Sequence, residues 1–176
     1  MSRKTYPSDL SEIELLILAP LIPAAKPGGR SRSVDIREIL NAIFYMLRSG
    51  CAWRMLPHDF PAWQTVYGYF RTWRQEGVWE TMNAALRESV RTQAGREAHR
   101  SAGIIDSRRV KTTESQGERG YDANKNVTGR KRHILVDVMG LLLVVLVHKA
   151  DIQERAGAKL LLQRAVTKGF ARLCLI

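Results

Sequence analysis

Cysteine is almost missing from this chain, which has two in 176 residues, Cys51 and Cys174. Far apart, and with no Cys/His group at zinc spacing, they exclude a disulfide scaffold and a zinc module. Both read as thiols set among apolar or aromatic residues. Long hydrophobic runs are missing too. The longest apolar stretch, Gly140 to Val147, is far too short to cross a bilayer. The opening MSRKTYPSDLSE is too polar for a secretory leader. A cytoplasmic protein without a membrane partner is therefore expected. Acid is in short supply as well. Against 28 Lys and Arg stand 17 Asp and Glu, which leaves a net charge of +11 and an isoelectric point near 10.2.

What is present fits a folded protein, since 45% of residues are apolar. Residues 1–100 carry 14 basic and 10 acidic groups (+4), and residues 101–176 carry 14 and 7 (+7). Such a surplus faces a polyanion, because each cation that meets a phosphate releases condensed counterions. Charge alone leaves both nucleic acid and anionic membrane open.

The first half reads as helices. Ser11 with Glu14 forms a capping box, and Leu10, Ile13, Leu16 and Ile17 mark an apolar face that ends before Pro23. The segment from Pro27 to Ser33 breaks any helix and carries Arg30 and Arg32, either a solvated linker or an anchor on a DNA backbone or minor groove. Ser33 is placed to cap a second helix that Gly50 stops, with Ile36, Ile39, Leu40, Ile43, Phe44 and Leu47 facing a core. A third helix is expected from Trp63 to Glu76 and a fourth from Val78 to about Thr92. Trp63, Tyr67, Phe70 and Trp73 share one face of the third, which reads as core before base stacking. Its opposite face carries Gln64, Thr65, Tyr69, Arg71, Thr72, Arg74 and Gln75. Gln64, Arg71 and Arg74 there are candidate DNA contacts, and the helix pair suggests a helix-turn-helix, although its connecting loop is long for one.

Residues 95–100 read as a polar linker, so domains are expected over 1–95 and 101–176. Beyond it the texture becomes strand (102–106), long basic loop (107–130), strand (131–138), strand (141–147), helix (from Asp151 with Glu154 to about Thr167) and strand (172–176). A right-handed crossover returns the last strand parallel to and beside the first. Asp106 then stands where two strands present their C-terminal ends. Phosphoryl transfer needs carboxylates at such a place, to hold two Mg²⁺ ions about 4 Å apart. The loop cations Arg108, Arg109, Lys111, Lys125, Arg130 and Lys131 are candidate phosphate contacts beside it. Asp137 reads as a hairpin residue, Asp151 as a cap, and His133 and His148 are assigned no metal.

Several runs resemble a known family. They are Tyr6-Pro-Ser-Asp-Leu-Ser, Lys26-Pro-Gly-Gly-Arg30, Leu40-Asn-Ala-Ile-Phe-Tyr45, Arg48-Ser-Gly-Cys-Ala-Trp-Arg-Met-Leu-Pro57, Asp59-Phe-Pro-Ala-Trp-Gln-Thr-Val-Tyr67, Ile105-Asp-Ser107, Lys111-Thr-Thr113, Gly120-Tyr-Asp122 and Gly129-Arg-Lys-Arg-His-Ile-Leu-Val-Asp137. The chain resembles the DDE transposases of bacterial insertion elements along nearly its whole length. The resemblance implies an α+β chain: a helix-turn-helix-like domain, then an incomplete ribonuclease-H-like α/β domain. It implies Asp106 as the first catalytic, metal-ligating aspartate, Mg²⁺ as cofactor of a complete core, and double-stranded DNA of element ends as partner. The second aspartate is expected just past Ile176 and a glutamate further on, so the chain alone is expected to be inactive. Two functions follow as expectations. One is a partial or first-frame transposase, joined by a downstream-frame polypeptide or full-length enzyme in an oligomer on DNA. The other is a non-catalytic DNA-binding competitor.

Overall fold

The structure, a computed structural model, describes residues 3–25, 33–98, 102–111, 118–123, 126–170 and 174–175. Helices come first and a mostly antiparallel sheet second, an α+β arrangement. Contacts divide the chain into two units, Met1–Ser89 and Val90–Ile176.

The first unit is built on α1 (Glu12–Leu18), α2 (Ile36–Ser49), α3 (Trp63–Gln75) and most of α4 (Val78–Gln93). The capping box at α1 is present: Ser11 Oγ accepts from the Glu14 amide, and the Ser11 amide donates to Glu14 Oε2 at 2.8 Å. The expected apolar face of α1 is not the buried one. Leu10 and Leu18 enter the core, whereas Ile13 and Leu16 are 71% and 73% exposed. Five of the six residues from Ile13 to Leu18 are apolar, so no face is distinguished by its spacing and only packing chooses one. The cap of α2 is Asp35, which accepts from the Arg37 amide, rather than Ser33. Gly50 ends that helix in the left-handed region at φ 69°, as glycine readily does.

Ile39, Leu40, Ile43, Val66 and Trp73 close the core of this unit with Leu56, Phe60, Val78 and Met82. Trp73 stacks edge-on against Tyr69 and Trp79. Tyr69 therefore belongs to the core side of α3, and Tyr67, expected there, is 39% exposed. The helix buries Val66, Tyr69, Phe70 and Trp73, a stripe turned by about one residue from the aromatic one. A polar network pins the N-terminal segment. Arg3 bridges Asp9 and Glu38, and Asn41, buried in the core, accepts from the Leu10 amide and donates to Glu38.

The second unit holds β1 (Ala102–Lys111), β2 (Gly120–Asp122), β3 (Val127–Asp137), β4 (Leu142–Lys149), α5 (Glu154–Thr167) and β5 (Cys174–Leu175). Hydrogen bonding runs β2-β3-β1-β5, with β4 also on β3. β1 is antiparallel to β3, and β5 lies parallel to β1 with Gly103 opposite Leu175. Much of the expected loop 107–130 is strand instead. Arg and Lys occupy both faces of β1 and β3 there, so apolar alternation, the usual mark of a strand, is lost. α5 covers one face, where Leu161 and Ala165 meet Leu135, Leu143 and Val144. It begins at Glu154 without a side-chain cap, and Asp151 sits in the preceding turn against Gly120, where any Cβ would lie 2.5 Å from its Oδ1.

Candidate functional site

Strand alternation sorts the charged residues of the second unit. Asp106, Arg108 and Val110 on β1 stand opposite Ile134, Arg132 and Arg130 on β3, on the face away from α5. Asp106 has a side chain 51% exposed, and its Oδ2 lies 3.5 Å from Nε of Arg108, itself 74% exposed. Its nearest formal charge is thus a solvated cation, and such exposed pairs contribute little to stability. β5 pairs in parallel with β1 at Ala102 and Gly103, the latter three residues before Asp106 on the same strand.

The opposite face holds a different cluster. Arg109 Nε donates to Asp122 Oδ2 at 2.7 Å, and its terminal nitrogen reaches Glu154. Lys131 Nζ lies 2.9 Å from Asp122 and donates to the Ile152 carbonyl at 2.8 Å. Hydrogen bonds from Lys131 and then Arg109 outweigh desolvation and hold the Asp122 carboxyl down at about 2. Lys131, expected to face phosphate, is buried, and its charge is spent on Asp122. Side by side these residues line a cleft of about 620 Å³ with Asp151 and Glu154. Three cations, counting Arg155, face three carboxylates there, so the cleft has no surplus for an anion.

Other candidates are dispersed. Lys111 is exposed at the end of β1, and Arg130 Nε donates to the Glu118 carbonyl at 3.2 Å. Gln64, Arg71 and Arg74 are exposed on α3, the first two about two turns apart and the third less than a turn further on. Residues 50–62, with a 3-10 turn at Trp53–Met55, separate α2 from α3, more than the three or four residues of a tight helix-turn-helix. Arg30, Arg32 and Lys125 lie outside the described residues.

Two features escaped the sequence reading. Asp137 does serve its hairpin, accepting from the Met139 and Leu141 amides at 2.9 Å, but it also takes Arg91 at 2.6 Å. Burial would raise that carboxyl, and the Leu141 amide, Arg91 and the Met139 amide together hold it below its ordinary value. His133 and His148 stack with centroids 4.9 Å apart, and the Nε2 atoms of both approach Gly157 of α5. Burial, and then His148, depress the His133 imidazole. The sequence offered a weak signal for each: an acid at a hairpin, and two histidines on adjacent strands.

An Mg²⁺ ion asks for clustered hard oxygen ligands. Asp106 supplies one such oxygen donor. Among the described residues no group of three His, Cys, Asp or Glu side chains is set to enclose an ion. The described residues alone therefore do not make a complete divalent site.

The comparisons with known proteins fall on both units. Residues 97–172 match the family described as "Transposase DDE domain". Residues 10–83 match the family described as "Putative transposase of IS4/5 family". A curated relative, the "Insertion element IS402 uncharacterized 16.2 kDa protein" of Burkholderia cepacia, is 27% identical over 101 residues, covering 54% of this chain and 67% of its own length. No solved structure gives a significant match. The sheet with its exposed aspartate thus belongs to a DDE transposase domain. Together the two matches and this relative support an insertion-element DDE transposase. No helix among the described residues is long and apolar enough to cross a membrane.

Proposed function

We propose that this chain binds the duplex ends of an insertion element and contributes Asp106 as one metal-ligating carboxylate of a DNA-cleaving and strand-transferring centre. The observation that carries this is the position of Asp106: solvent-facing, mid-strand on β1, the strand that pairs in parallel with β5 at Ala102 and Gly103, within the segment that matches the DDE family. Asp106 would be one of the carboxylates that hold Mg²⁺ in a completed centre, where the ion would supply Lewis-acid chemistry. The chain's own part is to hold an ionised oxygen ligand on a rigid strand and to keep DNA against it. Domains over 1–95 and 101–176 divide the labour. The helical one places Gln64, Arg71 and Arg74 toward DNA in a helix-turn-helix-like manner, with Arg30 and Arg32 reaching the backbone. In the other, Asp106 is the catalytic position, and Arg108, Lys111, Lys125 and Arg130 are phosphate contacts. Arg109 and Lys131 support the sheet through Asp122.

Element-end DNA and a scrambled duplex of equal length, titrated with the full chain, test the first half of this reading. Preference for the element end supports it, and equal binding removes it. Strand cleavage in Mg²⁺, with a full-length transposase of the same element supplied, tests the second. Loss of nicking on Asp106→Ala in the enzyme that carries it supports the assignment, whereas unchanged nicking sinks it. Element-end preference by a chain that never nicks and that slows the full enzyme would make it a competitor.

A further inference from the structure

Register and charge on the open face of the sheet point to one more site. Three successive rungs cross β1, β3 and β4 there: Asp106–Ile134–Val145, Arg108–Arg132–Val147 and Val110–Arg130–Lys149. In the second rung Arg108 directly faces Arg132, and in the third Arg130 directly faces Lys149. Like charges directly opposite weaken a sheet, and a protein that keeps two such pairs side by side gains nothing from them in isolation. Among the described residues Asp106 and Glu118 offset these cations in part. Asp106 lies 3.5 Å from Arg108, and the exposed Glu118 lies 3.5 Å from Lys149 while its carbonyl takes Arg130 Nε. No ion pair is found for Arg132 among the described residues. Val110 and Val147, 49% and 54% exposed, complete the face opposite α5.

We propose that Arg108, Arg132, Arg130 and Lys149 form a track for the phosphate backbone of duplex DNA, leading strand by strand to Asp106. This rests on the DNA-binding reading above and adds residues to it: Arg132 and Lys149 carry no role there. Side chains two apart on a strand are separated by about 7 Å and cross-strand partners by about 5 Å. The track is therefore a compact block of positive charge one rung from the carboxylate, able to hold consecutive phosphates. Arg suits it, since the guanidinium fork grips phosphate with two parallel hydrogen bonds. The four residues are positioning groups, and they read no bases.

Fluorescence anisotropy of a labelled random duplex, titrated with the full chain between about 50 and 200 mM salt, tests this. Each of R132Q and K149Q should lower the slope of log affinity against log salt by about 0.9, on any DNA sequence. R164Q, on the exposed side of α5, removes the same charge elsewhere and should leave the slope unchanged. The melting temperature of R132Q should equal or exceed that of the unaltered chain, because an opposed pair of like charges has been relieved. Equal slope changes in R132Q and R164Q, or a lower melting temperature in R132Q with unchanged binding, overturn the track. Failure of the unaltered chain to bind duplex at all overturns the DNA-binding reading itself. Binding by that chain, with slopes unmoved in R132Q and K149Q, overturns the track alone.

Discussion

Replacing Gly157 with alanine sets two effects of known size against each other. Gly157 is the fourth residue of α5, so alanine there gains about 0.8–1.0 kcal/mol of helix propensity. The new Cβ, however, would stand 2.5 Å from Nε2 of both His133 and His148. Unstrained non-bonded contacts begin near 3.5 Å, so the helix or both rings must give way by about 1 Å. The rings have little room to retreat, being stacked at an interplanar angle of 24° with His133 only 1% exposed. Overpacking of this kind costs about 1–3 kcal/mol, so after the propensity gain Gly157→Ala should be a net loss of up to about 2 kcal/mol. Urea unfolding followed by circular dichroism measures it. Tryptophan fluorescence would not, because Trp53, Trp63, Trp73 and Trp79 all lie in the first unit. A His148→Ala background removes the clash with one of the two rings, and the same alanine should cost about 1 kcal/mol less there. The reasoning is refuted if Gly157→Ala stabilises both backgrounds by the whole propensity gain.

Three further outcomes are expected. The depressed imidazole of His133 means that the unfolded chain takes up its proton first as pH falls. Its contribution to stability is thus complete above about pH 6.5 and declines below it, and His133→Gln should flatten urea midpoints measured between pH 7 and 5. Arg91→Met leaves the fully buried Asp137 with only backbone partners and should cost about 3 kcal/mol in the second unit; a loss under about 1 kcal/mol by denaturant titration would show the ion pair to be dispensable. Leu16→Ser, on the exposed side of α1, should change thermal stability by less than about 0.5 kcal/mol, and a larger drop would mean that this face is covered in solution.

The first unit was the more legible in sequence because its signals are local. A capping box, a glycine stop and an amphipathic period each act within a few residues, and α2, α3 and α4 fall within about three residues of where those signals put them. Where the period failed, in the apolar run of α1 and the aromatic stripe of α3, neighbouring helices selected the buried side. The parallel return of β5 beside β1 was also legible, because crossover handedness leaves few alternatives. Legibility ended in residues 107–130. Arg109 and Lys131 sit on the covered face of the sheet only because Asp122, on a separate strand, compensates both. A rule that puts charge outside could not find that strand.

Composition and local pattern alone settled that the chain is strongly basic, helical first and sheet-bearing second, with one aspartate in the first strand. Tertiary structure decided which face of the sheet each cation takes. Pairing register gathered Arg108, Arg130, Arg132 and Lys149 on the open face with Asp106, and turned Arg109 and Lys131 inward. The physical reason is the two-residue period of a strand: neighbours in sequence part to opposite faces, and only hydrogen-bonded pairing brings distant residues onto the same one.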